Sequence, residues 1–373
     1  MVRIKFTEEL TDQPAVIRIV GLGGGGGNAV DRMIEAGVSH VEFIVANTDS
    51  QVLRKNKAPV KLQLGERLTR GLGVGGNPAV GRQAAEESRD RIREVLVGAD
   101  MVFVTAGMGG GTGTGSAPYV AQIARELNPA PLIVAVVTRP FEFEGPVRRN
   151  QADAGIAELR KYADTLLSIP NERLYDVIDE KTNILAAFRK ADDVLRQAVQ
   201  AITDVITRPG MVNVDFADVR SIMLGSGEAL MGMGEGRGKD RALIAAKQAI
   251  HSPLLENVSI DGAKGVLINI MGNKDVTLFE VREAMDYIRN SISPDAHVFY
   301  GHVVDDSLDD CVQIRVIATG FPPVRASQTR RRLLRPVDGP EGEPAKGPRP
   351  VTPSTGTELL RPAYLRRKCE KLH

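Results

Sequence analysis

A glycine-rich segment, Gly107–Gly115, contains the residue types that bind phosphate through the polypeptide backbone. Six of its nine residues are glycine, and the apolar run 101–106 that precedes it is typical of a buried strand. Glycine adopts positive φ and lets main-chain N–H groups approach an anion closely. The hydroxyls of Thr112, Thr114 and Ser116 add possible donors. The pattern favours an anion site, because linker glycines rarely stand between a buried strand and a helix, which we expect here from Ala117.

Two more glycine-rich segments precede this one. The first, Gly21–Asn28, follows a short strand and contains Gly-x-Gly-x-x-Gly, the dinucleotide fingerprint, with a helix expected from Ala29. The second is Gly71–Pro78. Asp49 ends a further strand and is either a ribose-binding carboxylate or a helix N-cap.

The glycine segments and strand ends supply most of the candidate nucleotide-binding residues. They are Gly23, Gly24, Gly25, Gly26, Gly27, Asn28, Asn47, Thr48, Asp49, Gly75, Gly76, Asn77, Gly107, Met108, Gly109, Gly110, Gly111, Thr112, Gly113, Thr114, Gly115, Pro140 and Asn171.

Four other side chains are candidates for contacts with a nucleoside. Glu144 and Arg148 are suited to ribose and phosphate, or they form a surface ion pair. Asp192 can accept the two N–H groups of guanine that adenine lacks, while Phe188, one helical turn earlier, can stack on the ring. The plainer alternatives are a core position for Phe188 and a solvated face for Asp192.

Asp215 and Asp218 are two carboxylates three residues apart, and they lie on one face if the segment is helical. No Gly-x-x-x-x-Gly-Lys-Ser/Thr sequence occurs, so a phosphate would be held by backbone N–H groups and hydroxyls rather than by a lysine. The five histidines are scattered, and no cluster has the spacing of metal ligands, so we expect no metal ligands from the protein.

The order of elements predicts an α/β fold with a doubly wound, mostly parallel sheet. Strands and helices alternate through Asn171, a long helix spans Ile184–Thr207, and a smaller α+β domain follows. The expected organisation is a flexible arm at 1–13, a nucleotide-binding domain at 14–183, a central helix at 184–209, an α+β domain at 210–321, a disordered linker at 322–357 and a partner-binding peptide at 358–373.

Charge and composition limit the function classes. The net charge is +1, but residues 323–373 carry 12 Lys and Arg against 5 Asp and Glu, so the rest of the chain is acidic. Two cysteines are too few for a disulfide framework, which favours a reducing cytoplasm. We expect no leader and no membrane span. Basic residues are not interleaved with aromatic residues in the body, so direct nucleic-acid binding is not expected.

Several segments in order resemble the tubulin/FtsZ family of GTPases. The residues that carry the resemblance are Gly23–Val30, Asn47–Asp49, Gly71–Pro78, Gly107–Pro118, Thr138–Gly145, Ile169–Asn171, Asn213–Arg220 and Ser252–Glu256. The segment 362–367, with Pro362, Tyr364, Leu365, Arg366 and Arg367, is similar to the tail peptide with which bacterial members bind membrane-tethering and regulatory division proteins.

The resemblance implies a GTPase that binds GTP or GDP and polymerises head to tail into the cytokinetic filaments of bacterial cell division. Asp215 and Asp218 would then enter the nucleotide site of the neighbouring subunit and polarise the attacking water. Mg²⁺ would be held mainly by the nucleotide phosphates and water. The resemblance also implies a cytoplasmic protein, placed at the division site through its partners.

Two alternatives stay open at this point. An NAD(P)-dependent oxidoreductase would use the first glycine segment alone and leave the other two unexplained. A non-catalytic tubulin-like scaffold would not need Asp215 and Asp218.

Overall fold

One ten-stranded sheet runs through the molecule, for which a computed structural model describes residues 14–176, 178–179, 181–208, 214–255 and 260–321. Its order is β3-β2-β1-β4-β5-β6-β7-β10-β8-β9. The strands are β1 Ile17–Leu22, β2 Glu42–Asn47, β3 Val60–Gln63, β4 Met101–Gly107, β5 Leu132–Arg139, β6 Thr165–Pro170, β7 Gly227–Arg237, β8 Gly265–Gly272, β9 His297–Val304 and β10 Cys311–Thr319.

The first six strands are all parallel and form the doubly wound half of the sheet. Strands β4 and β5 are apolar along almost their whole length, since helices cover both faces of the sheet. In such a sheet the strand order reverses at one point, here between β1 and β4, and ligands bind outside the carboxyl ends of those strands. The predicted α/β fold class is confirmed.

The remaining strands form a mixed sheet. Strand β7 pairs in parallel with β6 only over Thr165–Leu167, and it is antiparallel to β10. Strand β10 is antiparallel to β8, which is parallel to β9. The described residues therefore share one sheet and fall in one compact unit. The domain boundaries expected from the sequence stay a prediction.

Eleven α-helices lie within the described ranges. They are α1 Gly23–Glu35, α2 Ser50–Lys55, α3 Glu66–Thr69, α4 Pro78–Glu87, α5 Arg89–Glu94, α6 Thr112–Arg125, α7 Pro146–Leu159, α8 Ile184–Thr207, α9 Phe216–Met223, α10 Arg241–Ile250 and α11 Leu278–Arg289.

Two helices begin earlier than the sequence predicts. Helix α1 starts at Gly23 rather than Ala29, and α6 starts at Thr112 rather than Ala117. The glycine runs therefore form the first turns of these helices and not only the loops before them. Tertiary contact outweighs the low helix propensity of glycine, because the backbone of α1 passes very close to β1 and β4.

Helix α8 has the predicted bounds, and its apolar face is buried in the main core. Val194, Leu195, Ala198 and Val199 pack there with side chains from β1, β4, β5 and β7. Its first two turns remain exposed or half-exposed. Among the described residues, no helix is long and apolar enough to cross a membrane. The predicted arm at 1–13, the linker and the tail peptide with Pro362, Tyr364 and Leu365 lie outside the described residues.

Candidate functional site

A cavity of about 550 Å³ opens at the carboxyl ends of the parallel strands, beside the point where the strand order reverses. All three glycine segments contribute to its wall. Of the residues predicted from the sequence, those that line it are Gly24, Gly25, Asn28, Asn47, Asp49, Gly75, Gly76, Gly107, Met108, Gly110, Gly111, Thr112, Gly113, Pro140, Glu144, Arg148, Asn171, Phe188 and Asp192.

Eight other predicted residues do not line this cavity. They are Gly23, Gly26, Gly27, Thr48, Asn77, Gly109, Thr114 and Gly115. Several of them hold the wall in place. The buried Thr114 Oγ1 accepts a hydrogen bond from the Gly109 N–H at 2.8 Å, and Ser116 Oγ donates to the Thr112 carbonyl at 2.7 Å. The Ser116 hydroxyl, expected as a donor to an anion, therefore donates within the protein, and the Thr114 oxygen is held in place by the Gly109 N–H.

The glycines of the site fall into two groups when a Cβ is considered at each position. At Gly26 and Gly115 a Cβ would lie 2.4 Å from Thr105 O and 2.1 Å from Pro78 O, so these positions require glycine for packing. At Gly24 and Gly110 a Cβ would meet no protein atom within 4 Å. Because both line the cavity, the space that a side chain would fill there is cavity space.

Helices α1 and α6 both present uncapped N-termini at this cavity. No side chain caps either helix, and neither has an acidic residue in its first turn. By contrast, α2 is capped by Asp49 and α4 by Asn77. The free N–H groups of a helix start carry partial positive charge and form a ready site for an anion.

Asp49 serves two purposes at the site. Its carboxylate accepts hydrogen bonds from Gln51 N at 2.8 Å and Val52 N at 3.3 Å, which is the N-cap geometry expected as one of two alternatives. The same residue lines the cavity. Thr48 is buried beside it, and its hydroxyl lies 2.9 Å from that of Thr112, which joins the end of β2 to the start of α6.

Glu144 and Arg148 form an ion pair within the cavity wall. Glu144 is largely buried and also accepts from the Phe141 N–H at 2.9 Å, whereas Arg148 is more than half exposed. The carboxylate is thus fixed by two donors, and the exposed guanidinium keeps N–H groups for a ligand. The ion pair expected as one alternative is present, and both residues line the cavity, while their contacts with ribose and phosphate stay a prediction.

Helix α8 places Phe188 and Asp192 together on the cavity wall. Phe188 is 36% exposed and makes edge contacts with Phe141 and Phe143 at centroid distances of 5.5 and 6.4 Å. It is therefore not a core residue. Burial raises the pKa of Asp192 to about 7, against an opposing effect of the Arg32 charge.

Asn171 begins a 3-10 turn directly after β6 and is almost fully buried at the cavity. Its Oδ1 atom has no hydrogen-bond partner within the described structure. A buried amide oxygen without a partner is costly, so a donor from a bound molecule would stabilise it.

Asp215 and Asp218 do not line the cavity. Asp215 is exposed and caps α9, and Asp218 is half-buried in the first turn of that helix. The helix ends at the opposite edge of the sheet, since Met223 O accepts from Thr165 Oγ1 at the start of β6 at 2.6 Å. Asn171, which lines the cavity, follows the other end of β6. Because six strand residues span about 20 Å, the end of α9 lies about that far from Asn171.

The cavity also has lining residues that the sequence analysis did not select. They are Val52, Gly73, Val74, Thr138 and Ala191. Gly73, Val74 and Thr138 stand inside segments that carried the family resemblance, and that position was the available signal. Val52 and Ala191 are apolar residues in the middle of helices, and no residue type or spacing marked them. No group of three or more potential metal ligands occurs among the described residues.

Known proteins are similar to this chain over most of its length. Residues 16–179 match the model for the GTPase domain of the Tubulin/FtsZ family, and residues 227–322 match the model for the C-terminal domain of the FtsZ family. An empty FtsZ dimer from M. jannaschii is 43% identical, with a TM-score of 0.79, over 83% of this chain and 90% of that chain.

Two further solved structures share the fold. CetZ2 from Haloferax volcanii, in a GTPgS-bound protofilament, has a TM-score of 0.70 at 19% identity, over 83% of this chain and 94% of that chain. CetZ1 from the same organism, a GDP-bound monomer, has a TM-score of 0.69 at 19% identity, over 83% and 95%. The oxidoreductase alternative receives no support from these similarities. The two domain matches and the 43% identity show that this chain belongs to the FtsZ family of tubulin-like GTPases.

Proposed function

We propose that the chain binds GTP and GDP in the cavity at the carboxyl edge of the sheet and hydrolyses GTP within a head-to-tail polymer. The observation that carries the proposal is that the uncapped N-termini of α1 and α6 meet at this cavity. The glycine-lined wall beside them, with open space at Gly24 and Gly110 for phosphates, is called the glycine cradle below. No lysine in the described ranges lines this cavity, so backbone N–H groups would provide most of the phosphate contacts.

Guanine would stack on the ring of Phe188 and direct its N–H edge to the carboxylate of Asp192. A carboxylate accepts from both N–H donors on the guanine edge, and adenine offers no such pair. The half-buried position of Asp192 favours this role, because a desolvated carboxylate binds paired donors more strongly than a solvated one. Asn171 Oδ1, which is buried and unpartnered, would accept a further hydrogen bond from the nucleoside.

Among the described residues, the carboxylates that line the cavity near the starts of α1 and α6 are already engaged within the protein. Asp49 is engaged as a cap and Glu144 in an ion pair. We infer that Asp215 and Asp218 of one subunit complete the site of the next, where they would orient the attacking water. Helix α9 and the cavity lie at opposite edges of the sheet, and such a heterologous contact propagates into a filament if it does not close.

The mouth of the cavity supports the idea that a second subunit covers it. Large apolar side chains that neighbour the lining residues are strongly exposed there. They are Leu72, Phe143, Val147, Ile184 and Leu185, with exposed fractions from 60% to 70%. Large exposed apolar side chains beside a cavity favour an interaction site there.

Mg²⁺ would accompany the nucleotide. Because the described residues contain no cluster of metal ligands, the ion would be held mainly by phosphate oxygens and water. When bound, it would neutralise charge that develops on the phosphates during transfer to water. The protein's part is to fix the triphosphate and to bring Asp215 and Asp218 into position.

The cellular role that follows is assembly of filaments at the division site on the cytoplasmic side of the membrane. The segment with Pro362, Tyr364, Leu365, Arg366 and Arg367 would bind membrane-tethering and regulatory division proteins. Its mixture of apolar and basic residues suits a short docking peptide.

A mixing experiment tests the shared site. Asp215→Ala lacks the incoming carboxylate, and Gly110→Ala blocks the phosphate cradle, so each alone should hydrolyse GTP poorly. In an equimolar copolymer about a quarter of the contacts would pair an intact cradle with an intact carboxylate, and turnover should recover to about that fraction of the wild-type rate.

The matched control is a mixture of Asp215→Ala with Asp218→Ala. Both lesions then lie on the same surface, no contact has a complete set of carboxylates, and no recovery is expected. If the first mixture cosediments but hydrolyses no more GTP than its two components alone, the site is not shared between subunits.

A further inference from the structure

Two buried threonines from different strands hold the last turn of α9. Thr165 Oγ1, at the start of β6, donates to the Met223 carbonyl at 2.6 Å, and Thr319 Oγ1, at the end of β10, donates to the Ile222 carbonyl at 2.9 Å. Both threonines are fully buried. The last carbonyls of a helix have no partner within the helix, so each hydroxyl satisfies one of them. We call these two threonines the α9 clamp.

The surroundings of the α9 clamp keep both hydroxyls in place. Thr165 Oγ1 also lies 2.9 Å from Ser226 Oγ. Because a hydroxyl carries one hydrogen and that of Thr165 is directed to Met223, Ser226 is the donor of this second bond. A Cβ at Gly265 would lie 2.9 Å from Thr319 Oγ1, so a larger residue there would displace the hydroxyl. Each hydroxyl therefore has a defined partner on α9.

The apolar face of α9 is buried as well, but it constrains the helix in a different way. Val219, Ile222 and Met223 lie in the main core. Apolar burial is not directional, whereas a hydrogen bond holds its two atoms at a defined distance and angle. The α9 clamp therefore adds a directional constraint to the side of the helix that faces the core.

Asp215 and Asp218 stand at the other end of the same helix. Asp215 is its N-cap residue, and Asp218 lies in its first turn. The helix has eight residues and is therefore about 12 Å long. A tilt of about 5° at the clamped end would displace Asp215 by about 1 Å. Because a misplacement of about 1 Å can slow catalysis about 100-fold, the direction of α9 matters for both carboxylates.

We propose that Thr165 and Thr319 are positioning residues for GTP hydrolysis, and that they orient α9 so that Asp215 and Asp218 reach the nucleotide of the neighbouring subunit. This rests on the proposed function, in which those carboxylates complete the next site. Neither threonine lines the nucleotide cavity, so an effect on turnover would pass through α9. The two threonines belong to the strands that flank β7 in the sheet, so the helix end is held from both of these strands.

Substitutions that keep the shape of the side chain but remove its hydroxyl test the proposal. Thr165→Val and Thr319→Val should each lower GTP turnover per subunit in sedimented polymer by about tenfold or more, because the carboxylates are misplaced. The affinity for GDP should stay unchanged. Thr165→Ser and Thr319→Ser keep the hydroxyl and should retain most of the wild-type turnover. Valine variants that turn over GTP at the wild-type rate in polymer would overturn the proposal.

A buried threonine elsewhere provides the matched control. Thr69 in α3 is buried, and its Oγ1 donates to the Gly65 carbonyl at 2.9 Å. Thr69→Val should leave turnover unchanged, and an equal loss there would contradict a specific role for the α9 clamp. If neither valine variant of the clamp folds, cysteine at the two positions carries the test. Its weak S–H donor should give slower turnover than serine, and turnover equal to that of serine would contradict the proposal.

Mixed polymers locate the defect on α9. Equimolar Thr165→Val and Gly110→Ala should recover turnover to about a quarter of the wild-type rate, as in the reference mixture of Asp215→Ala with Gly110→Ala. Thr165→Val with Asp215→Ala should give no more than the average of its two components, since both lesions lie on one surface. Recovery in the reference mixture but not with Thr165→Val would overturn the positioning role alone. Absence of recovery in both would refute the shared site on which that role rests.

Discussion

At the residue scale, glycine has two distinct uses in this site. At Gly26 and Gly115, backbone of a neighbouring element occupies the space that a side chain would need. Gly26 therefore lets α1 approach β1 and β4 closely, and Gly115 lets α6 approach α4 closely. Gly24 and Gly110 face open cavity. The sequence shows the glycines but not which use each one has, because that depends on backbone from distant segments.

This division predicts opposite effects for two similar substitutions. Gly115→Ala should lower the free energy of unfolding by about 1–3 kcal/mol, the usual cost of overpacking. Gly24→Ala, in an exposed first helical turn, should keep or raise stability by up to about 1 kcal/mol, since alanine is the better helix former. Yet Gly24→Ala should weaken GDP binding, because its methyl group enters the cradle.

Chemical denaturation and fluorescence titration with a labelled GDP measure the two quantities. A Gly24→Ala variant that binds GDP as tightly as the wild type would show that phosphate does not occupy this part of the cavity.

We expect Asp192 to make nucleotide binding depend on pH. Its pKa in the nucleotide-free protein is raised to about 7, so below pH 7 the carboxyl is mostly protonated and cannot accept both guanine N–H groups. Guanine binding must then release a proton, and GDP affinity should fall by up to about tenfold per pH unit below 7. Above pH 7 the affinity should level off.

The controls are two asparagine variants measured between pH 5.5 and 8.5. Asp192→Asn should bind GDP weakly and without this pH dependence. Asp193→Asn, at the adjacent carboxylate that is paired with Arg196, should keep it. If Asp192→Asn retains the wild-type pH profile, another group titrates.

At the scale of elements, the sequence predicted where strands and helices occur better than where they begin. Helix α8 has its predicted bounds because its apolar periodicity is long and Asn183 caps it. Helices α1 and α6 were predicted too short, since their first turns consist of glycine and only tertiary contacts hold them helical. Thr114 illustrates the same limit, because its hydroxyl faces Gly109 rather than the cavity.

The exposed start of α8 makes a prediction about assembly. Ile184 and Leu185 are 70% and 63% exposed, one turn before Phe188 at the cavity mouth. The double substitution to serine should raise the concentration needed for GTP-dependent sedimentation by about tenfold or more, if these side chains are anchors of the subunit contact. GDP binding by the monomer should change little, because neither residue lines the cavity.

Ile244→Ser, at an exposed isoleucine on α10 away from the mouth, is the matched control and should sediment like the wild type. Normal sedimentation of the double variant would place the subunit contact elsewhere.

At the scale of the whole molecule, the two ends of the parallel sheet have different tasks. The carboxyl edge carries the proposed nucleotide cavity, and the amino edge carries the end of α9. Alternating strands and helices predicted the doubly wound sheet, and motif order indicated the family. The continuous pairing of β6 with β7 was not predictable, because it joins only three residue pairs with no signal in either strand.

The central claim is that the glycine cradle of one subunit and Asp215 and Asp218 of the next form one active site. GTP turnover as a function of protein concentration tests this claim most directly. Phosphate release per subunit should be near zero in dilute protein and rise steeply above a threshold, in step with light scattering from polymer. Turnover per subunit that stays constant on dilution, below the concentration at which scattering disappears, would contradict a site completed by the neighbouring subunit.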